Sequence, residues 1–342
     1  MAVSINRSTL VERIKDSYKY PQRFDKDSYI MDLFQYQVAE NKLYHQYCEW
    51  LGINTASVTK PGEIPLLPIS AFKNHDVLSG FWIPQITFRS SGTTSAQRSR
   101  HLVRDVQFYL DHALHLWEKH FGNTENYCFL ALLPGYVGRG ESSLVCMVDY
   151  FIRRTHKNGS DYILGKELIL DTIYRENQRR QLKTVLFGVS YALIDMIEKS
   201  RYNYENLWIL ETGGMKGLRE DLTKEELILR LQDGFGTTRV YSEYGMTELF
   251  SQAYTKGGTA FQKNDYLDIN IRQIQDPLSG EVDGKQGIVG CIDLANIDTC
   301  AFILTEDAGY NSSDETFYLT GRTDNADIRG CNLLLTDRGF IQ

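Results

Sequence analysis

Apolar positions along this chain follow two regimes. From about residue 100 to 245, short apolar runs alternate with helix-period stretches. A helix over Val103–His120 leads to a strand at Tyr127–Leu133, a helix at Ser142–Arg153, a strand at Thr184–Phe187 and a helix at Ala192–Lys199. A strand at Leu207–Leu210, a helix at Lys224–Gln232 and a strand at Thr238–Ser242 complete the series. Strands that read as unbroken apolar runs are covered on both faces. The pattern therefore predicts an α/β fold, a mostly parallel sheet with helices on both sides. From Leu267 the period drops to two. The runs Leu267–Ile274, Gly287–Leu294, Ala301–Leu304 and Phe317–Leu319 are split by Asp-, Gly- and Ser-rich turns, which predicts an antiparallel β region. Upstream, Tyr29–Leu51 carries a helical stripe interrupted near Asn41. Glu63–Ser70 has two prolines and must be extended.

In a parallel sheet, ligands bind beyond the carboxyl ends of the strands. The polar and glycine clusters of this chain collect there: Pro134–Gly140, Gly188–Tyr191, Glu211–Gly217 and Glu243–Glu248, one after each strand of the series. Four clusters at one edge point to a site more strongly than any one of them. A fifth segment, Phe88–Arg100, precedes the first helix. Its centre, Ser90, Ser91, Gly92, Thr93, Thr94 and Ser95, is small throughout, and five of the six carry hydroxyls. Successive N–H groups and hydroxyls can ring an anion, Gly92 lets the backbone approach closely, and Arg98 and Arg100 add charge. Taken alone, the segment reads equally as a Ser/Thr-rich surface turn.

Composition narrows the classes. With 342 residues, 42% of them hydrophobic, the chain can bury a large core as one domain or two. Its net charge of -7 argues against a nucleic-acid surface. The longest uncharged apolar stretch, Tyr127–Val137, is too short to span a bilayer, so no membrane insertion is expected. The six cysteines are scattered without a CxxC pair, and the seven histidines lack zinc-site spacing. That usage fits a reduced, cytoplasmic compartment. No P-loop G-x-x-x-x-G-K-[ST] occurs.

Taken in order, the clusters resemble the adenylate-forming superfamily of acyl-CoA ligases, luciferases and peptide-synthetase adenylation domains. The resemblance is nearest to the bacterial bioluminescence acyl-protein synthetase family. It rests on Ile64–Ile69, Ser90–Thr94, Leu132–Pro134, Ser142–Leu144, Gly188–Ser190, Glu211–Met215, Tyr244–Glu248 and Arg329–Cys331. It implies a large adenylate-forming domain over 1–320, β-rich from about 265, followed by a hinge motif and short tail over 321–342.

The resemblance also implies roles. Ser90, Ser91, Gly92, Thr93, Thr94, Ser95 and Arg98 would hold ATP phosphates. Ser95 stands where the superfamily has glycine and Arg98 where a lysine is common, and a guanidinium is a fork rather than a point charge. In the Tyr-Gly-x-Thr-Glu signature, Tyr244 would stack on adenine, Thr247 would contact the α-phosphate and Glu248 would help hold Mg²⁺. By itself Glu248 reads as a helix-start carboxylate. Gly213 and Gly214 would wall the adenine. Asp307 and Arg322 would meet the ribose, and Asp324 would mark the hinge. Tyr136, Gly188 and Ser190 would line the acyl pocket, although such residues at strand ends commonly just pack.

Two features bear on the second half of the reaction. Most superfamily members carry a C-terminal lid that supplies a lysine, whereas only twelve residues follow Gly330 here. The expectation is that this chain lacks the lid, either by nature or by truncation, and that in the natural case Arg98, Arg100 or Lys216 offsets part of its charge. Cys331 matches the cysteine thought to accept the acyl group in the acyl-protein synthetases, and Arg329 would favour its thiolate. A small buried residue in an apolar edge strand is the alternative for Cys331. The activity implied is ATP-dependent conversion of a carboxylic acid, expected to be a fatty acid, to acyl-AMP. Transfer to Cys331 and on to a partner such as a reductase would follow. The competing readings are a ligase using CoA or an amine, and a nucleotide-binding homologue without catalysis.

Overall fold

The computed structural model describes residues 5–90, 98–134, 140–213, 222–278, 280–282 and 284–323. The chain divides into two compact units, one formed by 1–109, 246–251 and 263–342, the other by 110–245 and 252–262.

The second unit carries the expected parallel sheet. Its strand order is Asp161–Tyr162, Tyr127–Leu132, Lys183–Val189, Trp208–Thr212, Val240–Tyr244 and Ala253–Tyr254, with only the last strand antiparallel. Every residue of Tyr127–Leu132 is buried, as its unbroken apolar run requires. Trp117 anchors this core, its ring 4.9 Å from Phe129, 5.4 Å from Tyr127 and 5.7 Å from Phe151. Besides Val106–Phe121, which carries Trp117, the unit's longer helices among the described residues are Ser143–Arg154, Leu170–Arg179, Ser190–Lys199 and Lys224–Phe235. The last begins with a capping box between Thr223 and Glu226 and ends at left-handed Gly236.

The first unit is built on the antiparallel sheet. Leu267–Arg272, Gly287–Asp293, Phe302–Asn311 and Thr316–Arg322 pair in sequence order, and Leu67–Pro68 joins Phe302–Asn311 in parallel. The middle of the Glu63–Ser70 segment is therefore extended, as read, but its ends are not: Glu63 closes a 3-10 turn over Pro61–Glu63, and Ser70 has helical backbone where it leads into the helix Ala71–Asn74. Helices Lys26–Glu40 and Lys42–Trp50 pack on this sheet through Phe34 and Tyr44, whose rings lie 5.8 and 5.7 Å from Phe302. The break at Asn41 has a clear cause. Its side chain accepts from Tyr44 N at 3.0 Å to cap the second helix, and donates to the Thr299 carbonyl at 2.9 Å.

Some elements differ from expectation. Val103 belongs to the strand Arg100–Val103, which pairs with Ile86–Arg89, so the following helix starts at Val106. Helix Arg7–Lys19 and helix Leu170–Arg179 were not predicted. Their apolar stripes are thin: the first buries Leu10, Val11, Ile14 and Ser17, the second only Leu170 and Asn177. The first is instead secured by the Arg7 guanidinium, which donates to Asp298 at 2.6 and 2.7 Å. No helix among the described residues is long and apolar enough to cross a membrane.

Asn41→Ala is expected to destabilise the protein by about 2 kcal/mol, from the lost cap and the lost bond to Thr299. The Thr299 carbonyl keeps the Ser79 hydroxyl at 2.6 Å, which limits the cost. Urea unfolding of wild type and variant checks this value.

Candidate active site

In the first unit, the hydroxyl-rich segment hangs from a two-stranded hairpin. Ser90 and Ser99 close its neck: Ser90 N donates to Ser99 O at 3.2 Å, and Ser99 N donates to Ser90 Oγ at 3.1 Å. Arg98 turns its guanidinium toward the Ser90 carbonyl at 3.4 Å. Ser91, Gly92, Thr93, Thr94 and Ser95 lie outside the described residues.

The Tyr-Gly-x-Thr-Glu signature ends in an irregular turn rather than the helix start that Glu248 by itself suggests. Residues 248–252 are nonetheless buried. Such backbone must find its hydrogen-bond partners in the protein. Asp293 supplies two of them, accepting from Phe250 N at 2.6 Å and Ser251 N at 3.0 Å, and also accepts from Ser251 Oγ at 2.6 Å. Asn296 Nδ2 donates to the Glu248 carbonyl at 2.9 Å. His101 Nδ1 lies 2.7 Å from the Thr247 carbonyl. The sequence reading named none of these three supports. A buried His and two buried polar residues between apolar runs were the only signal.

Glu248 is 5% exposed. Burial raises its carboxyl above the ordinary range, opposed by a hydrogen bond with Ser99 and by the charges of Lys73 and Arg322. Lys73, on the short helix Ala71–Asn74, lies 3.6 Å from Glu306. Asp307 and Arg322 sit opposite each other in adjacent strands, with Arg322 Nε 3.3 Å from Asp307 Oδ1. Glu248, Asp307 and Arg322, picked from distant stretches of sequence, thus share one electrostatic neighbourhood with Lys73, which was not picked. Among the described residues no group of three or more His, Cys, Asp or Glu is placed to hold a metal unaided. Glu248 can serve only as one ligand beside oxygens from elsewhere, which is how Mg²⁺ is usually held with phosphates.

In the second unit, the carboxyl ends of the parallel strands hold a buried polar network. Ser190 Oγ lies 2.7 Å from Glu211 Oε2 and 2.8 Å from the Gly213 carbonyl. Lys224 forms an ion pair with Glu211, and the Thr212 hydroxyl donates to Glu243. Gly213 has φ +76°, a left-handed conformation that turns the chain off the strand end. Gly188, read as pocket lining, is packed: an added Cβ would lie 2.9 Å from Leu193. Tyr244 is buried, its ring 5.9 Å from Phe261. Tyr136, Gly214, Lys216, Asp324 and Cys331 lie outside the described residues. A cleft of about 330 Å³ occurs at the other end of these strands, around Lys183, Trp208 and Arg239, and none of its lining residues is a predicted site residue.

No protein-family model matches the chain, and no curated protein matches it. Solved structures do. A 2-hydroxyisobutyryl-CoA ligase in the postadenylation state, in complex with R3-HIB-AMP, matches with a TM-score of 0.62 and 10% identity, over 86% of this chain and 66% of that one. An open conformation of that ligase, with 2-HIB-AMP and CoA, gives 0.60 and 11%, over 87% and 69%. The fold is that of the N-terminal domain of adenylate-forming enzymes. ATP-bound MatB from Rhodopseudomonas palustris gives 0.52 and 17%, over 72% of this chain and 48% of that one. The chain thus spans about half the length of MatB and about two thirds of the hydroxyisobutyryl ligase. Within this fold, the described residues of Gly188–Tyr191, Glu211–Gly213 and Glu243–Glu248 fall at the carboxyl ends of their strands and just beyond.

Glu243 offers a test of the buried network. Burial raises its carboxyl to about 7, opposed by the Thr212 hydrogen bond, with Glu211 adding to the rise. A carboxyl whose folded pKa exceeds the unfolded value of about 4.5 stabilises the fold below that value and loses this contribution as pH rises through 7. Glu243→Gln is expected to abolish that loss, making the variant more stable than wild type at pH 8 by on the order of 1–3 kcal/mol. Urea midpoints at pH 5 and pH 8 measure the difference.

Proposed function

We propose that the chain activates a carboxylic acid with ATP. One carboxylate oxygen attacks the α-phosphorus, the bond from that phosphorus to the oxygen bridging the β-phosphate breaks, and pyrophosphate leaves with the electron pair. The observation that carries this reading is the buried Glu248 carboxylate, set beside the Lys73 and Arg322 charges in a turn strapped by Asp293, Asn296 and His101, on an adenylate-forming fold. A buried carboxyl with a raised pKa and cationic neighbours is the kind of group that clusters at functional sites.

In this reading Ser90, Arg98 and the intervening hydroxyl-rich residues bind the β- and γ-phosphates. The Thr247 hydroxyl meets the α-phosphate. Asp307 accepts from the ribose hydroxyls while Arg322 holds it in place, and Tyr244, Gly213 and Gly214 receive the adenine. Mg²⁺, when bound, offsets the charge that builds on the phosphate oxygens. Glu248 would help hold it.

The proposal extends to a second step on resemblance alone. The acid is a fatty acid, received near Tyr136 and Ser190. The Cys331 thiolate attacks the acyl carbon of acyl-AMP, a C–S bond forms, the C–O bond to phosphate breaks and AMP leaves. The thioester then passes to a protein acceptor such as a reductase, with Asp324 at the hinge.

Carboxylate-dependent exchange of labelled pyrophosphate into ATP is expected, strongest with fatty acids. Silence across short, long and hydroxylated acids overturns the adenylation reading. Glu248→Gln is expected to lower exchange by about 10²-fold or more, the size seen when one transition-state charge contact is removed. With labelled fatty acid and ATP, Cys331→Ser is expected to abolish the thioester-linked protein label while leaving exchange intact. Undiminished label shows that another group accepts, and acyl-CoA formation with added CoA identifies the soluble thiol as acceptor.

A further inference from the structure

His101 follows the hydroxyl-rich segment directly, in the strand Arg100–Val103, and its side chain is fully buried. Its ring meets three polar partners. The Thr247 carbonyl, 2.7 Å from Nδ1, can only accept, so Nδ1 carries the proton. Nε2 faces Thr299 Oγ1 at 3.0 Å and Asn296 Oδ1 at 3.2 Å. The Asn296 amide nitrogen is spent on the Glu248 and Cys300 carbonyls, both at 2.9 Å, which fixes its oxygen toward the ring. The Thr299 hydroxyl also lies against Asn296 Oδ1, so its single proton serves either that oxygen or Nε2, while the Thr247 carbonyl on the other side leaves Nδ1 no role but donor. Burial pushes the His101 pKa down to about 4, so the ring is neutral at pH 7 and holds a single tautomer.

The ring is also held sterically. Phe72 meets it edge-on at 5.6 Å, and Phe250 lies 5.1 Å away. Phe72 belongs to the helix that carries Lys73, and Phe250 to the signature turn. One side chain thus joins the hairpin bearing the hydroxyl-rich segment, the Lys73 helix and the turn bearing Thr247 and Glu248.

We propose that His101 is a positioning residue. Its Nδ1–H fixes the Thr247 carbonyl and so registers the Thr247 hydroxyl and the Glu248 carboxylate against the hairpin on which His101 rides. This role rests on the adenylation reading for its catalytic consequence, but the tether itself does not. The tether aligns groups for the step at the α-phosphorus. Its loss lowers turnover more than it weakens binding of the acid, because small misplacements of aligned groups cost about 10²-fold in rate.

Three measurements on the intact chain test this. Nitrogen-15 NMR of histidine-labelled wild type is expected to show His101 as the Nδ1–H tautomer at pH 7; the Nε2–H tautomer overturns the proposal without any variant. Hydrogen exchange of amides 246–251 is expected to quicken at least 10-fold in His101→Leu and to return near wild type in His101→Asn, whose amide reaches the position of Nδ1. Pyrophosphate exchange in His101→Leu is expected to lose about 10–100-fold in kcat with the KM for acid within 3-fold, and His101→Asn is expected to recover most of the loss. Unchanged amide protection and unchanged kcat in a folded His101→Leu overturn the positioning role. A melting-temperature drop with full kcat per folded molecule reduces His101 to a core residue. Absence of exchange in wild type defeats the adenylation reading, while tautomer and amide protection still decide the tether.

Discussion

The structure turns on the hydrogen bonding of one irregular buried segment. The turn carrying Thr247 and Glu248 has no helix or strand to satisfy its backbone, and water is kept from residues 248–252. Each buried N–H or C=O left alone there costs about 1–3 kcal/mol. Asp293, Asn296 and His101 remove that cost together, taking Phe250 N, Ser251 N, Glu248 O and Thr247 O between them. A loop fixed at that many points cannot drift, so its side chains are held at set positions. Asp293 is itself buried, and desolvation raises its pKa against the four hydrogen bonds that favour its charge. The segment around 293–300 therefore acts as a buried polar brace rather than as apolar filling.

Charge is handled by the same logic at the sheet ends of the second unit. Glu211 is fully buried, and its cost is offset by Lys224 and by Ser190. Buried pairs of this kind add little net stability, but removing one partner is expensive. Glu243 has the Thr212 hydroxyl as donor and, among the described residues, no ion pair, so burial outweighs the pull of Lys224 and its carboxyl holds its proton more tightly. These neighbouring strand ends therefore differ in the partners of their carboxylates and not in depth alone.

Much of this was legible along the chain. Parallel strands were readable because burial on both faces demands unbroken apolar runs, as in Tyr127–Leu132. The antiparallel region was readable from its period, and the helix break at Asn41 from a polar residue inside an apolar stripe. Glu248, Asp307 and Arg322 were singled out by resemblance to the superfamily's motifs and not by periodicity, which by itself reads Glu248 as a helix-start carboxylate and Asp307 as a turn residue. Gly188 shows the limit of that signal. A glycine at a strand end can open a pocket or admit a neighbour, and here it admits Leu193.

The sequence by itself determined the periodicities, the order of strands and helices, and the residue types able to meet a nucleotide. These are local properties, set by which neighbours along the chain share a face. Tertiary structure alone decided which distant polar groups become partners. Lys73 reaches the neighbourhood of Glu248, His101 reaches Thr247, and Asp293 closes on Ser251. Those pairings span tens to more than a hundred positions. No period encodes them, because a buried donor selects its acceptor by proximity in space and not by distance along the chain.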